Sequence, residues 1–373
     1  LNWTPNAETA LSTIIDLNHR YALDGRDPAS YGGLLWCLGQ FDRPFPPERR
    51  VVGTVRERST AEHAKRLDPE SYLKKTTRPL RDPLPTVAVV GAGISGLMCA
   101  RTLADHGFPV TVFEKSRGVG GRMSTRRTPD NLRFDHGAQY FTVRDKRIRR
   151  YVRSWVNDGF VSRWSGRIVT LENGEVKDRK EGTDRFVAAS GMNGLCKHLA
   201  DGLDVRFETQ VAPLRRGPGV WQLSTQDGAE AGEYDVVVTS APAAQADSML
   251  KAAPSIADAA GQLNMNGCWA LMLAFEHALN LEFDGAFVHN SAVSWIANNS
   301  SKPGRRREPE TWVVHASAEW SDRNIDIDPS TAEELLLAEF WQATGGTAVD
   351  PVHVAAHRWR FAIPPSPLSA PCL

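Results

Sequence analysis

Gly91, Gly93 and Gly96 stand in G-x-G-x-x-G spacing within "TVAVVGAGISGLMCARTLADHGFPVTVFEKS" at 86–116, and Glu114 follows Gly91 by 23 residues. Residues of these types at this spacing can hold a pyrophosphate and a ribose. The first glycine permits a tight turn, the second lets a pyrophosphate approach the backbone, and the third lets a helix pack on a strand. Ser95 lies inside the same turn, where the first amides of a helix point at an anion. Glu114 is placed to accept hydrogen bonds from ribose hydroxyls. A glycine-rich turn in a plain βαβ unit is the alternative, but strand, glycines, helix, strand and terminal acid in that order favour dinucleotide binding.

The elements that must position these groups are legible around them. Residues 86–90 form a short, nearly all-apolar run, the pattern of a buried parallel strand. A helix is predicted from about 94 to 106, with Gly107 as its stop. A second strand is predicted over 110–113, with Glu114 at its tip.

Gly120, Gly121 and Arg122 follow in "KSRGVGGRMSTRR" at 115–127. The segment resembles the R-x-G-G-R signature of flavin-containing amine oxidases and their relatives. That resemblance implies FAD, rather than NAD, as the tightly held cofactor. Backbone amides at the two glycines would approach the pyrophosphate, with the Arg122 charge set against it. A surface salt bridge is the plain alternative for Arg122. Further on, "FDHGAQYFTV" (134–143), "WIANNSSKPGR" (295–305), "WVVHASAEWS" (312–321) and "HRWRFAIP" (357–364) together resemble renalase and its bacterial relatives, over about residues 86–373.

The renalase resemblance implies oxidation of dihydronicotinamides, the 2- and 6-dihydro isomers of NAD(P)H, with O₂ as electron acceptor. It implies that Gln139, Tyr140 and His136 lie by the flavin ring, although His136 also reads as a turn histidine. It implies that "RFETQV" (206–211) is the strand whose end touches the adenine, with Val211 as a backbone contact. "YDVVVTSAPA" (234–243) reads as another buried strand ending near the cofactor. No acid–base pair or nucleophile stands out, so no catalytic residue is assigned. A flavin amine oxidase acting on a small amine is the second enzymatic reading.

The expected architecture is α/β. A Rossmann-like FAD-binding domain covers 86–245, an α+β substrate domain covers 246–356, and 357–373 returns to the first. Strand-like runs such as "WALMLAFE" predict an antiparallel sheet roofing the flavin. Trp269, Trp295, Trp312 and Trp320 fall in the substrate domain, where each is more often core than site. No metal is expected. His353 and His357 are four apart, but "VHVAAHRWRFAI" alternates like a strand, which would put the two rings ~13 Å apart.

The residues in front differ in kind. "LNHRYALDGRDPASYGGLLWCLGQFDRPF" (17–45) and "VVGTVRERS" (51–59) resemble the C-terminal end of a class II DNA photolyase, over 1–73. There a D-G-R-D-P segment helps wrap a folded FAD in a helical domain. Asp24, Arg26 and Asp27 are flavin contacts on that resemblance, or helix-capping and salt-bridge residues without it. Ala29 stands where that family commonly has Asn. A short, mostly helical remnant (1–75) and a Pro- and Arg-rich linker (76–85) are therefore expected. Residues 43–81 carry eleven Lys or Arg against five Asp or Glu. DNA is an expected partner only if the photolyase part is complete in a parent chain with deoxyribodipyrimidine-repair function. Starting at Leu1 and stopping at Cys372-Leu373, the chain reads as an internal fragment lacking the last strand and helix beside the flavin.

Bulk numbers exclude little else. Forty-four basic and 44 acidic residues cancel, so no whole-chain field draws the protein to nucleic acid or membrane. Five unpaired cysteines fit a reducing, cytoplasmic setting. No run of 18 apolar residues predicts a membrane span.

Overall fold

A computed structural model describes residues 84–179 and 183–366, which belong to one compact unit, Leu84–Leu373. The photolyase-like segment, with Asp24, Arg26, Asp27 and the 43–81 basic stretch, lies outside the described residues, as do 367–373.

A parallel sheet carries the glycine-rich turn. Its strands are β1 (Val87–Val90), β2 (Val110–Phe113), β3 (Asp204–Arg206) and β4 (Val236–Thr239), in the order β4-β1-β2-β3. Helix α1 (Ile94–Asp105) crosses from β1 to β2. Val87, Ala88 and Val89 are buried because β1 is an inner strand with a crossover helix over it. The expected burial of β4 does not hold. It is the outermost strand, and Val236 is 41% exposed. Helix α1 stops as expected, with Gly107 at φ +86°, a conformation that costs glycine little. Behind the sheet, α2 (Asn193–Ala200) buries Leu195, Cys196 and Leu199 against the α1 side of the core.

The second sheet has seven strands. β5 (Asn266–Phe275), β6 (Gly285–His289), β7 (Val293–Asn298), β8 (Glu310–Ala316) and β9 (His353–Ile363) run in the order β9-β5-β8-β7-β6, followed by Ile168–Glu172 and Glu175–Asp178. All pairs are antiparallel except β6 with Ile168–Glu172. Two expected boundaries change here. The sheet recruits strands at 168–178, from inside the segment assigned to the first domain. Strand β9 pairs with β5 from His353↔Ala274 to Ile363↔Asn266, so the chain at 357–363 is an edge strand of this sheet, with the Ala362 carbonyl at its end accepting from Arg122.

Helix α3 (Pro329–Thr344) closes one face. Ala332, Leu336 and Phe340 recur every four residues and are fully buried, the stripe of a core-facing helix. They meet Trp269, Leu271, Trp312 and Val314. Burying each large apolar side chain contributes about 1.5–3 kcal/mol, so Trp269 and Trp312 belong to the core and not to a site.

Candidate functional site

The glycines close into a cradle. Gly91 has φ +105°. A Cβ on Gly96 would fall 2.1 Å from the Gly91 carbonyl oxygen, so only glycine lets α1 approach β1 this closely. Gly93 is the opposite case: a Cβ there would meet nothing within 4 Å. Gly93 is the N-cap of α1 and no side chain caps the helix, so its first amides and the exposed Ser95 face the same open space. Gly120, at φ +131°, forms a bridge with Gly93, and its amide donates to the Ala92 carbonyl at 2.9 Å. The two glycine segments predicted separately are therefore one surface. Gly121 sits on it, its would-be Cβ 3.5 Å from Gly93 Cα. This is a shape that a pyrophosphate fits and a side chain would fill.

Glu114 is buried at the tip of β2. Its Oε2 accepts from the Ala92 amide and its Oε1 from the Ser116 amide, both at 2.8 Å. Each carboxylate oxygen can accept again, so Glu114 both pins the turn and retains capacity for a ribose. Near it, Gln210 and Ala212 pair with Gln226 and Ser224, leaving the Val211 amide without a partner among the described residues. Arg122 spends one nitrogen on the Ala362 carbonyl at 3.0 Å, tying the cradle to the end of β9. Burial lowers its pKa.

A second constellation lies under the 134–143 motif. Asp135 is fully buried. Its carboxylate accepts from Thr125 Oγ1 (2.7 Å), the Met192 amide (2.8 Å) and Arg305 Nη2 (2.7 Å), and Lys302 Nζ is 3.6 Å away. Burial alone would raise the Asp135 pKa, but Lys302 and Arg305 hold it below the usual carboxylate range. Burial pushes the Lys302 ammonium down to about 8, against the pull of Asp135. Lys302 also donates to Gln139 Oε1 at 3.0 Å and Asn299 Oδ1 at 3.3 Å. Gln139, expected beside the ring, is thus oriented by a buried charge cluster. Asp135, Asn299, Lys302 and Arg305 escaped the sequence reading. Three of them carry charge in loop-like segments, which reads as solvated surface, and only their joint presence in the 134–143 and 295–305 motifs could have marked them.

His136 completes this face. Its ring stacks on Trp359 (centroids 5.0 Å apart) and meets His357 edge-on at 4.8 Å. Its Nδ1 is buried with no partner among the described residues. Tyr140 lies 5.5 Å from Trp295 and 6.1 Å from Trp164, centroid to centroid, and the Trp295 indole N–H is likewise buried and unpartnered. His136 thus sits against Trp359 and His357, Gln139 against Lys302, and Tyr140 against Trp164 and Trp295. His353, stacked on Phe134, shares the strand β9 with His357 as the alternation predicted.

Burial depresses the imidazoles, His136 to about 3 and His315 and His357 to about 4. Each is neutral when folded but protonates near pH 6.5 when unfolded, so unfolding takes up protons below that pH. Stability should fall as pH drops from about 6.5 toward 4, at about 1.4 kcal/mol per pH unit for each imidazole fully shielded from water. Urea midpoints between pH 7.5 and 5 measure this, and His136→Phe should flatten the slope. A flat wild-type profile would mean that these rings protonate in the folded protein.

Two family models match the chain. Residues 89–155 match the NAD(P)-binding Rossmann-like domain and residues 171–370 match the flavin containing amine oxidoreductases. Cyclohexylamine oxidase from Brevibacterium oxydans IH-35A is similar in fold, with a TM-score of 0.61 at 14% identity over 76% of this chain and 89% of that one. A deoxyribodipyrimidine photo-lyase of Oryza sativa subsp. japonica is 39% identical over 79 residues, which is 21% of this chain and 15% of the relative. A 4,4'-diapophytoene desaturase of Staphylococcus haemolyticus is 49% identical over 59 residues, 16% of this chain and 12% of the relative. The chain thus spans under a sixth of the length of these two curated relatives. Among the described residues, no helix is long and apolar enough to cross a membrane.

Proposed function

The chain belongs to the flavin-containing amine oxidoreductase family, whose cofactor is FAD, and from that premise we propose that it oxidises dihydronicotinamides, the 2- and 6-dihydro isomers of NAD(P)H. In this reading Gly91, Gly93, Ser95, Gly96, Gly120 and Gly121 hold the FAD pyrophosphate. Arg122 adds charge beside them, Glu114 binds a ribose, Val211 meets the adenine, and His136, Gln139 and Tyr140 lie by the ring. The observation that carries the choice of substrate is the buried cluster beside Gln139, which sets two cations, Lys302 and Arg305, against the single carboxylate of Asp135.

FAD, when bound, supplies an acceptor for a hydride and returns both electrons to O₂. In the balanced reaction the dihydronicotinamide, O₂ and one proton give the oxidised nicotinamide and H₂O₂. No bond to the protein has to form, so the chain's own task is to position, orient and exclude water. Tyr140, half-buried against the core residues Trp164 and Trp295, offers a flat face for a ring to stack on. The three neutral imidazoles add no strong base. The excess buried positive charge favours the negative charge that a hydride brings in and repels a protonated amine.

Amine oxidation is the second reading, favoured by the half-buried ring of Tyr140, set against Trp164 and Trp295. Residues 1–73 fit a third proposal, in which the chain is part of a photolyase–oxidoreductase fusion and DNA is a partner of the photolyase part. Incubating the FAD-loaded chain with borohydride-reduced NAD, and separately with primary and polyamines, tests the first reading. H₂O₂ should appear with the reduced NAD mixture and fall as pH rises through about 8, where Lys302 gives up its proton. Peroxide from the amines alone would select the second reading.

A further inference from the structure

The hairpin that follows the cradle, with Asp130 in its turn, gathers cations that make no ion pair among the described residues. Arg127 and Arg133 lie directly opposite each other in the two-stranded pair Arg126–Arg127 with Arg133–Phe134. Like charges facing each other across an antiparallel pair repel, and a hairpin needs arginine at neither position. Lys197, exposed on α2, is near enough to both that, after partial burial, their charges lower its pKa. Arg133 also lines a cavity of about 160 Å³, together with Arg306, Asn299, Thr311 and Glu308.

Several surface arginines elsewhere pair with acids: Arg147 with Asp145, Arg163 with Asp184, Arg167 with Asp178 and Arg360 with Asp326. Arg127, Arg133, Arg306 and Lys197 make no ion pair and no side-chain hydrogen bond among the described residues. Glu308, the carboxylate on the cavity wall, pairs with none of them. Arg133 and Arg306 line the cavity, while Arg127 faces Arg133 across the hairpin, and repulsion among such cations is offset by an anion that takes up several donors at once. Guanidinium forks suit phosphate oxygens bidentately and an ammonium adds a point charge.

We propose that Arg127, Arg133, Lys197 and Arg306 form a binding site for the phosphate group of a small molecule, distinct from the glycine cradle. The phosphate is carried either by the oxidised substrate or by a separate phosphorylated effector. Probe binding at this site can be read whichever substrate the flavin oxidises.

Calorimetric titration of the full chain, saturated with FAD so that the cradle is filled, tests this with pyrophosphate and adenosine 2′,5′-bisphosphate as probes. Saturable binding is expected, weakening as salt rises. Affinity should drop about tenfold in Arg133→Gln and in Lys197→Gln, each of which removes one charge-assisted contact, and stay unchanged in Arg147→Gln. Melting curves confirm that each variant folds, and Lys197→Gln, on an exposed helix face, keeps the test open if Arg133→Gln does not. A raised KM for the oxidised substrate in the same variants places the phosphate on the substrate, whereas an unchanged KM with weakened probe binding places it on an effector. No saturable binding, or equal affinity in wild type and both variants, overturns the site. So does duplex DNA held through these residues and not displaced by pyrophosphate, which would make the face a nucleic-acid surface.

Discussion

Replacing Asp135 with alanine is expected to cost about 3–5 kcal/mol of stability, because it strips the carboxylate from a buried cluster and leaves two cations behind. Asp135 is fully buried and receives Thr125, the Met192 amide and Arg305 at 2.7–2.8 Å. Its removal orphans those donors and leaves Lys302 and Arg305 facing each other without a counter-charge. It also frees Gln139, which Lys302 orients at 3.0 Å. Asp135→Asn should cost less, since the amide oxygen still accepts. A second change, Lys302→Met in the Asp135→Ala background, should restore part of the loss by removing one uncompensated cation. Urea unfolding of the full chain reads all three. A loss below about 1 kcal/mol in Asp135→Ala would mean that water reaches the cluster.

The second large effect separates folding from cofactor binding. Gly93 has φ −76° and open space where its Cβ would go. Gly93→Ala should therefore fold at a cost of about 0.5–1 kcal/mol, the scale of replacing an N-cap glycine by alanine. Its methyl group would project into the space a pyrophosphate needs, so FAD affinity should fall on the order of 100-fold, about 2.7 kcal/mol. Gly96→Ala should behave differently. Its Cβ would lie 2.1 Å from the Gly91 carbonyl, so α1 must move off β1, and both stability and FAD binding should suffer by about 1–3 kcal/mol or more. Melting curves and flavin retention on the two variants distinguish the cases. Equal FAD affinity in Gly93→Ala and wild type would remove the cradle from cofactor binding.

The two glycine positions also mark how far the sequence could be read. Their roles were legible because a turn's requirements are local: a tight bend, a close approach and a packing contact are all fixed within six residues. The first strand, helix and second strand follow for the same reason. The pairing of Gly93 with Gly120 was not legible, because it depends on where the chain returns after β2. The second sheet shows a similar limit. Its buried strand at 266–275 reads directly from apolar residues, but the recruitment of Ile168–Glu172 in parallel beside β6 is set by tertiary pairing across more than a hundred residues. In the 134–143 motif the sequence singles out His136, Gln139 and Tyr140 but neither Asp135 nor its partner Lys302. A lone charge in a loop reads as solvated, and it becomes a buried cluster only once Asp135 and Lys302, 3.6 Å apart in space, are brought together.

The most direct test is anaerobic reduction of the FAD-loaded chain, followed by the visible flavin absorbance. Added 2- or 6-dihydronicotinamide dinucleotide should bleach the band within the mixing experiment, with recovery on admitting O₂ and release of one H₂O₂ per substrate. Primary amines and polyamines should leave the band unchanged. Bleaching by an amine, with none from either dihydronicotinamide isomer, would contradict the proposed substrate and make the protein an amine oxidase.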